Sequence, residues 1–218
     1  AFQFRKATRS LYDERVGRKW IDIQPVQKQS TLELPFNLLS LSQCNLASLI
    51  AECEIDHFVA PVPHTRGGSA AGYSRWNAFK QRSLDYYARQ RSNPLIDGTS
   101  RLSPYLHYGM VSPLRIAREA AEAHSEGADK FLDELLIWRE LAYVFCFFRP
   151  DHASLTAIPD WARESLAEAE SDARPALHSW ETLARGKTGD KLWDAAQKSL
   201  LMHGELHNNV RMTWGKAL

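Results

Sequence analysis

Residues 97–113 read DGTSRLSPYLHYGMVSP, and five consecutive positions hold Thr99, Ser100, Arg101 and Ser103 just before Pro104. A hydroxyl followed by proline marks a helix start, with Ser103 expected as the cap and Pro104 at the first helical position. The free N–H groups of such a turn sit at the positive end of the helix dipole, where an anion is favoured. Three hydroxyls and one guanidinium added there can surround a pyrophosphate with neutral donors and one charge-assisted contact. A capped helix with an exposed arginine uses the same residues, and they alone leave both readings open.

Two further pairs could do chemistry. In FLDELLIWRE, Glu134 and Trp138 are four apart and share a helix face, while Arg139 is turned by about 100°. A carboxylate beside an indole makes a wall that can hydrogen-bond and stack a flat heterocycle; the alternative is packing tryptophan with a surface glutamate. In LHNNVRM, Asn208 and Arg211 lie one turn apart and could meet one polar ligand.

Three other candidates fail on spacing. GKT at 186–188 imitates the end of a P-loop, but the glycine needed earlier is Glu181. GGSAAG at 67–72 has no strand before it and lacks dinucleotide glycine spacing, so it reads as a flexible helix entry. HGELH places His203 and His207 four apart, yet the glutamate is displaced, a glycine interrupts the turn and no third ligand stands out, so no metal site is expected.

The elements that must position these residues read as helices. From Ser69, Tyr73, Trp76, Phe79, Leu84 and Tyr87 recur at helical steps, predicting one amphipathic helix to near Arg91. Asp129 precedes KFLDELLIWRELAYVFCFF, apolar nearly all round, which predicts a central buried helix closed by Pro150. Further helices are expected at 113 onward after Ser112, at 160–170, at 179–184 with Gly186 as a stop, and at 190–203 with Gly204 after it. Strand-like alternation is scarce, so the fold class is all-α. Residues 1–66 are irregular, with a polar stretch at VQKQST and the segment FVAPVPHTRGG, and are expected to be a connector, while 67–218 form the helical domain.

Bulk properties narrow the setting. The chain of 218 residues, 44% hydrophobic, can bury one substantial core, and a net charge of +1 neither demands nor excludes nucleic acid. No apolar run approaches the roughly 20 residues of a membrane span, and no secretory signal opens the chain. Three cysteines without paired spacing point to a reducing compartment.

Together Tyr87, DGTSRLSPYLHYGMVSP, FLDELLIWRE, KLWDAAQ and GELHNNVRM resemble the photolyase and cryptochrome family over about 72–218. The resemblance implies a helical FAD-binding domain, here incomplete, with folded FAD held at its phosphates by TSRLS and with reduced FADH⁻ as the active form. It implies a deoxyribodipyrimidine photolyase, a carbon–carbon lyase that repairs cyclobutane pyrimidine dimers in UV-damaged DNA by light-driven electron transfer to a flipped-out lesion. The alternative it leaves is a cryptochrome-type photoreceptor without repair activity; a helical interaction module without flavin is a third. It assigns Tyr87, Thr99, Ser100, Arg101, Leu102 and Ser103 to FAD, Arg211 beside the isoalloxazine and Asn208 to the seam between flavin and lesion. It assigns Glu134 and Trp138 to the lesion, and Trp193 and Trp214 to a photoreduction relay. The four-residue step from Glu134 to Trp138 looks most like the class II photolyases. A family segment carrying an acidic partner for Arg211 and a third relay tryptophan is expected beyond Leu218, and an α/β antenna domain with its own chromophore is expected ahead of the helical part, residues 1–66 being its trailing end. A cytoplasmic enzyme, nucleoid-associated on DNA, or a nuclear one in a eukaryote, follows.

Overall fold

In a computed structural model the described residues are 2–18, 34–40, 42–59 and 61–217. The VQKQST stretch and Leu218 lie outside them. The described residues are helical, with no strand among them.

Capping residues set several helix starts. Ser112 accepts from the Arg115 N–H and opens α6 (Pro113–Ala121), Ser125 accepts from Ala128 and opens α7 (Glu126–Leu132), and Asp190 accepts from Leu192 and Trp193 and opens α11 (Lys191–His203). Gly204 ends α11 in the left-handed conformation at φ 64°. The remaining helices are α1 (Phe2–Gly17), α2 (Leu46–Ala51), α3 (Ser69–Arg82), α4 (Tyr87–Gln90), α5 (Ser103–His107), α8 (Arg139–Phe148), α9 (Asp160–Glu168), α10 (Trp180–Ala184) and α12 (Asn208–Lys216).

The chain divides into two units, Ala1–Arg18 with Pro63–Leu218, and Lys19–Val62. The first 18 residues therefore join the helical body, which corrects the expected boundary at 66. In the smaller unit, Asn45 caps α2 by accepting from Ala47 and Ser48.

The core of the larger unit lies among α3, α5, α6 and α7. Trp76 is fully buried and packs on Phe79 and Phe131 with ring centroids 6.0 and 5.4 Å apart; Tyr87 meets Phe79 and Phe131 edge-on at 5.8 and 5.5 Å. The Trp76 indole donates to Glu119 Oε2 at 2.7 Å, and Lys80 and Arg115 also bond this carboxylate at 2.7 and 2.8 Å. Burial by itself would raise the Glu119 pKa, but the bonds from Arg115, Lys80 and Trp76 outweigh it and hold the carboxyl down at about 2. Gly127 lets α7 come close to the backbone at Leu84, since a Cβ there would fall 2.0 Å from the Leu84 carbonyl oxygen.

Three expected elements are altered. The helix expected from Ser69 to Arg91 breaks at Ser83, passes through a 3₁₀ turn at Leu84–Tyr86 and resumes as α4. Ser103 does not cap α5 from outside; it is the first helical residue, Leu102 holds the cap position and Arg101 adopts φ 50°. The long helix starts at Glu126, earlier than expected, and contains a π-helical turn at Asp133–Trp138 between α7 and α8. Its second half is not buried: no residue of α8 is, and Phe147 is 82% exposed. The apolar run predicted burial, but among the described residues nothing covers it.

Candidate functional site

The 99–103 segment is oriented by Leu102, whose side chain is buried in the core. That anchor leaves Thr99 and Ser100 half-buried and Ser103 exposed. Ser100 Oγ accepts from the Leu102 N–H at 3.4 Å, while the Thr99 and Ser103 hydroxyls have no protein partner among the described residues. Leu102 thus presents only backbone to a ligand. Arg101, with its left-handed backbone, turns its guanidinium toward Asp97 and Glu205 at 3.6 and 3.4 Å. Its charge is partly compensated, and it ties the hydroxyl loop to the α11–α12 turn.

The π turn carries Glu134 and Trp138. In an α-helix a four-residue step overshoots one turn, and in the wider π geometry it falls short of one, so the two still share a face. Trp138 is 46% exposed. Glu134 Oε1 is bonded by Lys130 Nζ at 2.8 Å and Arg91 Nη2 at 3.0 Å, and among the described residues no donor bonds its other oxygen. Arg91 also lies over the Tyr87 ring at 5.7 Å. Tyr87 has a raised pKa, chiefly from burial, with Arg91 working against the shift, so it stays a neutral phenol.

On α12, Arg211 Nη2 donates to Asn208 Oδ1 at 2.7 Å, and both side chains are exposed. Trp193 and Trp214 stack with centroids 5.8 Å apart and planes at 18°, and the Trp193 indole donates to the Trp214 carbonyl at 3.2 Å. His207 Nδ1 accepts from the Asn209 N–H, so its other nitrogen carries the proton; that Nε2 and Trp214 Nε1 are buried donors without acceptors among the described residues.

The expected residues therefore fall into clusters: Tyr87 with Glu134 through Arg91, the 99–103 loop with the α11–α12 turn through Arg101, Asn208 with Arg211, and Trp193 with Trp214. No hydrogen bond or ion pair among the described residues joins Glu134 to Asn208, or the 99–103 loop to Arg211. Arg91, Lys130 and Glu205 escaped the sequence reading. Lys130 stands four residues before Glu134 and was legible as a helix pair; Arg91 and Glu205 are brought in only by folding.

The Thr99 and Ser103 hydroxyls, without partners among the described residues and beside a charge-balanced guanidinium, make a donor set suited to a diphosphate-bearing ligand. His203 Nδ1 lies 3.3 Å from His64 Nε2 rather than beside His207, and among the described residues no group of three His, Cys, Asp or Glu side chains could hold a metal. No described helix is long and apolar enough to cross a membrane.

No protein-family model matches the chain. It is 36% identical over 171 residues to the deoxyribodipyrimidine photolyase of Potorous tridactylus, covering 77% of this chain and 32% of that protein. Photolyases of Arabidopsis thaliana and Methanothermobacter thermautotrophicus are 38% and 35% identical over 161 and 153 residues, covering 72% and 70% of this chain and 32% and 34% of theirs. A class III photolyase from Agrobacterium tumefaciens shares the fold, with a TM-score of 0.57 at 24% identity over 72% of this chain and 34% of that one. Although it spans only about a third of the length of these curated relatives, the chain belongs to the photolyase family.

Proposed function

We propose that this chain is part of a deoxyribodipyrimidine photolyase, holding FAD and splitting cyclobutane pyrimidine dimers in UV-damaged DNA. The observation that carries the reading is the π turn, where an exposed indole and a carboxylate with one oxygen anchored and the other free share a face. Trp138 offers a stacking surface for a flipped base, and the free oxygen of Glu134 can accept from a pyrimidine N–H. The four-residue step between them is what supports a class II assignment.

Thr99, Ser100 and Ser103 would meet the FAD phosphates, with Arg101 holding their loop in place through Glu205 and Leu102 anchoring it from beneath. Tyr87 would line the same cofactor, Arg211 would lie beside the flavin ring, and Asn208 would sit between flavin and lesion. Reduced FAD, when bound, supplies on illumination the electron that opens the cyclobutane ring. Around it the chain fixes distance, excludes water and offers hydrogen bonds where charge develops. The stacked Trp193 and Trp214 lie close enough to exchange an electron and suit the relay that reduces the oxidised cofactor.

The test is illumination of the full chain, loaded with reduced FAD, in the presence of UV-damaged DNA. Loss of dimers is expected, and Trp138→Ala should weaken dimer binding by about 1–3 kcal/mol, the worth of a base stacked on an aromatic ring. Trp214→Phe should slow photoreduction and spare repair by prereduced protein. Photoreduction with dimers left intact would replace the repair reading with a light-sensing one, and failure to take up FAD would remove both.

A further inference from the structure

Arg5 of α1 lies 128 residues before Asp133 of the π turn in sequence, yet it reaches that carboxylate, with Nε and Nη2 2.7 and 2.6 Å from Oδ1. The other oxygen, Oδ2, takes Lys130 Nζ at 3.1 Å, and the same ammonium bonds Glu134 Oε1 at 2.8 Å, where Arg91 also binds at 3.0 Å. An unbroken ladder thus runs Arg5, Asp133, Lys130, Glu134, Arg91, from α1 across the π turn to the end of α4. Farther along α1 the Tyr12 hydroxyl lies 3.5 Å from the Leu136 carbonyl inside the π turn, at the outer limit of a hydrogen bond. Near its C-terminal end the Val16 carbonyl accepts from Arg118 of α6 at 3.1 Å.

α1 contributes no fully buried residue, and its apolar hold on the core comes from the partly buried Val16 near its C-terminal end. Two of its polar contacts, from Arg5 and Tyr12, reach the segment that holds Glu134 and Trp138. Asp133 faces two cations, and Lys130 faces two carboxylates. With Arg5 gone, Asp133 would have Lys130 alone, and the ammonium would be drawn toward it and away from Glu134. Glu134 would then keep only Arg91, which approaches from the α4 side.

We propose that α1 is a working part of the lesion site and that Arg5 is a positioning residue for Glu134, dividing Lys130 between two carboxylates so that Oε1 is anchored and Oε2 faces the substrate. This rests on the lesion reading given above. Arg5 itself touches neither substrate nor cofactor.

The experiment compares the full chain with Arg5→Ala, Arg5→Lys and Glu134→Gln, alone and combined, using hydrogen exchange at amides 133–138 and titration with an oligonucleotide carrying one cyclobutane dimer or none. Arg5→Ala should speed exchange across 133–138, leave FAD content unchanged and weaken dimer binding about fivefold, the net scale of one ordinary hydrogen bond. Arg5→Lys should recover most of the affinity, and Arg5→Ala should add little in the Glu134→Gln background, because a positioning effect needs the group it positions. Unchanged exchange at 133–138 overturns the proposal, as does faster exchange with full dimer affinity, or an Arg5→Ala loss that persists undiminished beside Glu134→Gln. A parent chain that does not distinguish dimer from intact DNA is a different failure, overturning the lesion reading and this proposal with it.

Discussion

Trp76 and Phe147 are large aromatic residues on helices of the same unit, and they sit at opposite extremes: the first is fully buried, the second 82% exposed. The contrast extends to their surroundings. Residues 69–137 supply nearly all of the buried hydrophobic side chains, and past them, among the described residues, Ala157 and Trp193 are the buried hydrophobic ones. The first region closes its core with its own side chains. The second has the apolar composition of an interior, and among the described residues α8, with Tyr143, Phe145 and Phe148, stands open. Apolar content and burial are separate properties, and the second needs a partner surface.

The largest test of this contrast is truncation at its two ends. Trp76→Ala should cost about 3–5 kcal/mol in urea unfolding, since it empties a core site and strips Glu119 of a donor. Phe147→Ala should change stability by no more than about 0.5 kcal/mol, as expected for a side chain whose ring meets only the likewise exposed Phe148 edge-on at 4.9 Å. Equal losses would erase the distinction.

Acid unfolding sharpens it next. Glu119 has a folded pKa of about 2, below its ordinary 4.5, so its stabilisation is complete above 4.5 and is lost as pH falls from there toward 2. The shift corresponds to on the order of 3 kcal/mol. Glu119→Gln should therefore flatten the stability profile across that window, and an unaltered slope would show that the Trp76 hub does not couple the core to its charge. A smaller effect is expected at Gly127, where Ala would press its methyl on the Leu84 carbonyl. Overpacking there should destabilise by about 1–3 kcal/mol, whereas a neutral change would mean that α7 can move off the 3₁₀ turn without loss.

The sequence made local signals legible and tertiary ones not. Ser112, Asp190 and Gly204 mark helix ends in the structure because capping depends on residues within one turn. Ser103 misled because the same hydroxyl–proline pair fits one position further into a helix, and the left-handed Arg101 ahead of it has no local signature. The hydroxyls and the Glu134–Trp138 pair are legible as residue types at spacings, whereas Trp193 and Trp214 are singled out only by the family resemblance. Their anchors were not: Arg5, Arg91 and Glu205 reach their partners only after the chain has folded back. The burial of the 130–148 run was overestimated because hydrophobicity records a preference for an interior, and only packing supplies one.

The π turn also governs how the two halves of the long helix are phased. A turn of this kind holds one residue more than the α turn it replaces, and each residue of an α-helix accounts for about 100° of rotation. Losing a single position between 133 and 138 would swing the Tyr143 and Phe147 flank roughly a quarter-turn around the axis, while Phe131 stayed seated against Trp76. The insertion therefore acts as an indexing step, deciding which side of α8 is offered outward without disturbing the anchored end.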